Sequence, residues 1–124
     1  MDDFPEEQRI EVAADGSRPR RFVFVLMARF TMLCFACAIE PLRIANRLSG
    51  KQLYSWAIAS EGGTPVACSN GVVFAVDGTL DEIAREDTVM LCGGVDVQGA
   101  TTRRVVSWLR REARRGATIG GLCT

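Results

Sequence analysis

Along the chain the spacing of apolar and polar residues changes several times, and each change marks an element. Order is expected to start at Arg21–Met27, "RFVFVLM", an unbroken apolar run of the kind found in a strand buried on both faces. "RFTMLCFACAIEPLRIANRLSG" is long enough for a helix, with Thr31 placed to cap its start and Gly50 to stop it. Pro41, inside that stretch, predicts a bend or a split near Glu40. "YSWAIAS" alternates Tyr54, Trp56 and Ile58 with Ser55, Ala57 and Ala59, the period of a strand. In "TPVACSNGVVFAV", Asn70-Gly71 divides two β-prone arms and predicts a hairpin.

"GTLDEIARED" predicts a short helix, with Thr79 and Glu82 as a capping box. "TVMLCGG" reads as another buried strand, ending in Gly93-Gly94. "TTRRVVSWLRREARRG" is an amphipathic helix stopped by Gly116, and "ATIGGLC" a last strand. At about 100° per residue, Arg103, Arg104, Arg110, Arg111, Arg114 and Arg115 share one face of that helix. Val105, Val106, Leu109 and Ala113 share the opposite face and are expected to cover the sheet. The arginines form a solvated outer face in this reading, with nucleic acid or a subunit contact as the alternatives.

Strands alternating with helices define an α/β protein with a parallel sheet sandwiched by helices. Ligands of such sheets bind beyond the carboxyl ends of the strands, where Gly93-Gly94 and Gly120-Gly121 both fall. Residues 1–20 carry charge, Pro and Gly without a period and are expected to form a flexible tail.

Composition narrows the function classes. With 124 residues the chain suits one domain. Its 15 basic and 15 acidic residues cancel, which excludes the overall basic footprint of a nucleic-acid binder. No apolar run approaches the roughly 20 residues of a membrane span, and the acidic start, "MDDFPEE", is unlike a secretory signal. The five cysteines lack the spacing of a small secreted domain, so a reducing cytoplasm is expected. Histidine is absent, and chemistry that needs an imidazole must draw it from outside these residues.

Cys123 is the main chemical candidate. A thiol at a strand end, entering a helix, would meet the positive end of the helix dipole and free backbone N–H groups, which favour a thiolate and a developing oxyanion. The preceding Gly120-Gly121 would allow a tight elbow. A packed core thiol is the other reading, and spacing leaves both open. Gly93-Gly94 could offer N–H groups to a carbonyl oxygen, or simply make a tight turn. "CFAC", Cys34 and Cys37, resembles a redox pair, with Thr64-Pro65 as a candidate cis-proline. Placed inside an apolar helix rather than in its first turn, the two are expected to be core residues facing the sheet. No zinc set accompanies them, since a second pair and any histidine are missing. Glu40, Arg43 and Arg47 are expected to form an exposed ion-pair ladder.

"FVFVLMARFTMLCFACAIEPLRIANRLSGKQLYSWAIASEGG", "SNGVVF", "TVMLCGG" and "WLRREARRGATIGGLCT" together resemble the PfpI/ThiJ, class-I glutamine-amidotransferase-like fold. Within it they resemble the N-terminal domain of AraC-type transcriptional regulators, over about residues 21–124. The resemblance implies a flavodoxin-like sheet, of which this chain holds the N-terminal portion up to the nucleophile elbow. Cys123 takes the elbow position and Gly93-Gly94 the oxyanion loop. It further implies a cytoplasmic, homodimeric sensor of a small-molecule effector, without cofactor or metal, linked to amino-acid, carnitine or betaine-type catabolism. DNA would be bound by a helix-turn-helix domain beyond residue 124.

Enzymes of this fold carry a glutamate early in the first helix that hydrogen-bonds the nucleophilic cysteine. Here the aligned residue is Cys34, and no carboxylate lies between Arg29 and Ile39. Cys123, Thr124, Gly93 and Gly94 are therefore expected to line a ligand pocket rather than to catalyse. The alternative is a PfpI-like cysteine hydrolase or amidase that uses Cys123.

Overall fold

A computed structural model describes residues 18–80 and 83–123. Its elements in chain order are β1 (Arg20–Leu26), α1 (Met32–Ser49), β2 (Tyr54–Ala59), a 3-10 turn (Glu61–Gly63), β3 (Val66–Ala67), β4 (Val73–Phe74), β5 (Thr88–Cys92), α2 (Val97–Ala100), α3 (Arg103–Arg114) and β6 (Thr118–Leu122). Four strands form one parallel sheet in the order β2-β1-β5-β6. The α/β, flavodoxin-like architecture expected from the sequence is therefore present.

β1 lies between two partners, with Val23 opposite Ala57 and Val89, and Val25 opposite Ala59 and Leu91. This double pairing is why the strand is apolar at every position from Phe22 to Leu26. Phe24 and Leu26 point into one core with Phe35 of α1, while Val23, Val25 and Met27 point into another with Val105 and Trp108 of α3. The helices thus cover opposite faces of the sheet. β3 and β4 pair antiparallel, Val66 with Phe74 and Ala67 with Val73. This hairpin packs on the α1 side, where the Phe74 ring lies 5.2 Å from Phe30 and 6.0 Å from Phe35. The Asn70 side chain shapes its turn by accepting from Val72 N at 3.0 Å, next to Gly71 at φ 92°.

Several expectations are corrected. α1 runs unbroken through Pro41. Pro41 and Cys37, the residue whose carbonyl loses its partner, are both exposed, so solvent has access to the unpaired carbonyl. Thr31 stands at the cap position without a side-chain capping bond, whereas Gly50 ends the helix in the left-handed conformation as expected. The peptide before Pro65 is trans, since the described residues contain no cis bond.

The helix expected in "GTLDEIARED" is missing from its described residues; Glu82 of the capping box lies outside them. Tertiary contacts override the local propensity. Gly78 bridges to Ala59, Asp87 accepts from Ala84 N at 2.9 Å, and Leu80 and Ile83 fill the α3-side core. The amphipathic helix is α3, capped by Thr102, and its six named arginines are exposed as expected. Its inward stripe is Val105, Trp108 and Glu112, with Ala113 exposed instead of buried. The Glu112 carboxylate is fully buried and lies 3.6 Å from Arg111 and 3.7 Å from Arg115.

Residues 1–17, most of the expected tail, and Thr124 lie outside the described residues. No described helix is long and apolar enough to cross a membrane.

Candidate functional site

The chain runs from β1 outward to β2, then returns past β1 to β5, so the strand order reverses between β1 and β5. In a doubly wound sheet the crevice beyond the carboxyl ends at such a reversal is where ligands bind. The β1–α1 turn occupies this place and is held from both sides. Met27 N donates to Cys92 O at 3.0 Å and Thr31 N to Gly93 O at 3.0 Å, on the β5 side. On the hairpin side Arg29 N donates to Ala67 O at 2.9 Å, and Ser69 N to Phe30 O at 2.8 Å. Phe30, fully buried between them, is the apolar anchor of the turn.

Gly94 explains the tightness. A Cβ there would lie 2.5 Å from Arg29 O and 2.8 Å from Thr31 N, backbone atoms that cannot step aside. Gly94 is thus required for close backbone approach, and the Gly93 N–H is already committed to Leu122 O at 2.9 Å. That donor cannot serve an oxyanion while the sheet is intact.

Because α1 begins at Met32, Cys34 stands in its first turn. The Cys34 Sγ lies 2.7 Å from the Cys123 Sγ, just past the end of β6. This corrects the expectation of two core thiols inside the helix. The buried face of α1 is formed by Phe35, Ala38, Ile39, Leu42 and Asn46, which leaves Cys34 on its flank and Cys37 exposed. Cys34, which the resemblance aligns with the glutamate of enzymes of this fold, is thus the residue whose sulfur meets Cys123. The hydrogen bond between the two thiols, followed by burial and the nearby Cys123 and Cys37 sulfurs, pushes the Cys34 thiol up from its ordinary value. Burial, with the Cys34 and Cys123 sulfurs adding to it, pushes the Cys92 thiol up to about 12.

Backbone conformation singles out the same edge. The non-glycine residues with positive φ in the described chain are Arg29 at 62°, Asp96 at 57° and Cys123 at 53°. They follow β1, β5 and β6 respectively, all at carboxyl ends. Left-handed backbone costs an L-residue roughly 1–2 kcal/mol, and such strain gathers where function requires a side chain at a fixed place.

On the other side of the β1–α1 turn lies a cavity of about 450 Å³, whose lining includes Met27, Arg29, Ser60, Glu61, Pro65 and Thr102. Thr102 Oγ1 donates to Glu61 Oε1 at 2.9 Å, holding the carboxylate at its wall. Cys123, Gly93 and Gly94 do not line this cavity. The structure therefore separates two features that the sequence reading merged: a hollow with Arg29 and Glu61, and a thiol pair beside Gly93. Arg29 and Glu61 carried no motif; only the strand order, which puts the ends of β1 and β2 together, could have found them. A larger hollow of about 700 Å³ lies at the opposite, amino edge around the Arg21–Asp87 ion pair. Among the described residues that edge holds no thiol and no non-glycine residue at positive φ, so the carboxyl edge is the better candidate.

No family model matches the chain. Solved structures share its fold. A ThiJ/PfpI family protein from Pseudomonas syringae aligns over 98% of this chain and 47% of its own, with a TM-score of 0.63 and 13% identity. An AraC family transcriptional regulator from Pseudomonas putida aligns over 83% of this chain and 64% of its own, with a TM-score of 0.71 and 24% identity. The chain thus has the DJ-1/ThiJ/PfpI form of the flavodoxin-like fold.

Its sequence relatives narrow the class. The transcriptional regulator GbdR of Pseudomonas aeruginosa, of the helix-turn-helix type, is 39% identical over 91% of this chain. CdhR, a helix-turn-helix-type regulator of the same organism, is 39% identical over 83%. The chain spans 31% and 30% of the lengths of these two relatives. The resemblance to AraC-type transcriptional regulators with a PfpI/ThiJ domain, read from the sequence motifs, is borne out by this similarity.

Proposed function

We propose that this chain is the effector-sensing part of an AraC-type regulator and that its effector is a small zwitterion. Similarity to helix-turn-helix regulators over nine-tenths of the chain supports the regulatory reading. The chemistry of the carboxyl-edge cavity supports the ligand class, since it is lined by one cationic residue, Arg29, and one carboxylate, Glu61. Amino acids and betaine- or carnitine-type metabolites carry the complementary pair, a carboxylate and an ammonium, on one small skeleton. None of the lining residues is aromatic, so a quaternary ammonium would be met by the Glu61 carboxylate rather than by a ring face.

In this reading Cys123, Gly93 and Gly94 hold the β1–α1 turn that forms one wall of the cavity, and Thr124 follows them. Cytoplasmic location, a homodimer and DNA contact through a separate helix-turn-helix domain belong to the same proposal. Signalling requires that the effector bind two arrangements of the protein with different affinity.

A thermal-shift and calorimetric screen of amino acids, betaines and carnitines tests the assignment. At least one zwitterion is expected to stabilise the protein. Arg29→Ala should weaken it about tenfold or more, the worth of one charge-assisted bond. Unimpaired binding by Arg29→Ala removes the assigned cavity, and no stabilising zwitterion removes the sensor. The rival cysteine hydrolase predicts instead a burst of product with an acylating substrate that Cys123→Ser abolishes.

A further inference from the structure

The five cysteines of the chain differ sharply in their surroundings. Cys68 is buried and donates to Asn70 Oδ1 at 2.8 Å. Cys92 is buried with its thiol pushed up to about 12. Cys37 is exposed on α1, one helical turn beyond Cys34. Only Cys34 and Cys123 have sulfurs in mutual contact, at 2.7 Å, and they join segments 89 residues apart. A disulfide needs its sulfurs at about 2.05 Å, so the two need approach by less than about an ångström.

We infer that Cys34 and Cys123 form an oxidisable dithiol site whose substrate is a small hydroperoxide. Cys123 is exposed among the described residues. Its sulfur, as the thiolate, attacks the terminal oxygen of the hydroperoxide. The O–O bond breaks, the alcohol or water leaves with a proton, and Cys123 becomes a sulfenic acid. Cys34 then attacks the Cys123 sulfur. The S–S bond forms, the S–O bond breaks, and water leaves with the Cys34 proton. Two thiols and one hydroperoxide thus give one disulfide, one alcohol and one water, a two-electron exchange that a low-molecular-weight dithiol reverses.

Cys34, with its sulfur 2.7 Å from that of Cys123, is the residue placed for the second, resolving role. The bond would tie the end of β6 to the first turn of α1. It involves neither Arg29 nor Glu61 and so stands independently of the effector cavity.

The test treats the folded chain with equimolar hydrogen peroxide, then denatures it in an alkylating agent and maps the peptides without reduction. The expected product has lost two hydrogens, links Cys34 to Cys123, and leaves the other three of the five cysteines alkylated. Dithiothreitol restores the starting mass. Cys37→Ser should behave like the parent chain. Cys34→Ser should lose the disulfide entirely and leave Cys123 as sulfenic or sulfinic acid. A Cys34–Cys37 link, an intermolecular link, a parent chain that stops at sulfinic acid, or no reaction at all would each overturn the inference. The parent chain's own peptide map decides the matter even where a variant does not fold.

Discussion

The two ends of the sheet solve the same geometric problem with different residues. At the amino end, the turns into β2 and β6 need left-handed backbone and use Gly50 at φ 69° and Gly116 at φ 103°. At the carboxyl end, the turns after β1, β5 and β6 use Arg29, Asp96 and Cys123 for the same conformation; only the segment after β2 turns to glycine, at Gly62 and Gly63. Glycine is the low-energy choice wherever no side chain is wanted. Non-glycine side chains at positive φ therefore gather at the carboxyl end.

The polar bonding of the two ends differs in the same sense. At the amino end Asn46, buried in the last turns of α1, donates to Tyr54 O at 2.9 Å and accepts from Leu53 N and Tyr54 N, both at 2.9 Å. All three bonds fasten one helix to the strand that follows it. At the carboxyl end the polar side chains Arg29 and Glu61 line a hollow instead.

At fixed neutral pH the largest effect should come from the amino end. Asn46→Ala leaves two backbone N–H groups and a carbonyl without partners and should lower stability by about 3 kcal/mol, read from urea unfolding. A loss below about 1 kcal/mol would show that the end is not held as described.

Next is the pH response of the carboxyl end. Folding raises the Cys92 thiol from 9.0 to about 12, so its contribution to stability is complete below pH 9. Above that the unfolded chain ionises first, and the advantage over Cys92→Val should fall by about 1.4 kcal/mol per pH unit until the folded thiol also ionises. The raised Cys34 thiol acts in the same direction. A stability difference that stays flat through alkaline pH would mean that Cys92 is not shielded.

The smallest effect sharpens the contrast most. Gly50→Ala should cost about 1 kcal/mol from backbone strain alone, since nothing lies within 4 Å of the added carbon. Arg29→Gly should stabilise by up to about 1 kcal/mol while weakening the effector. If both changes destabilise equally, Arg29 is not held there for its side chain.

Much of the fold was legible because burial on two faces leaves unbroken apolar runs at β1 and β5. The phase of α1 was not, because that helix is apolar on its outer side too, with Leu33 at 70% and Leu48 at 82% exposure. Without a polar face to set the rotation, Cys34 and Cys37 could not be told from core residues. The contact of Cys34 with Cys123 follows from that rotation and from the place of β6 in the sheet. The helix expected after Gly78 failed because its residues answer to Ala59 and Asp87, contacts that a local window does not contain. The hollow of Arg29 and Glu61 depends on strand order alone.

The central position of β1 has a consequence for synthesis. β1 leaves the ribosome with an unbroken apolar run from Phe22 to Leu26, and one of its two edges waits for Thr88–Cys92 before it can pair. Through that interval the nascent chain carries an open, sticky ribbon, which makes it a client for holding chaperones and sensitive to pauses in translation before residue 88.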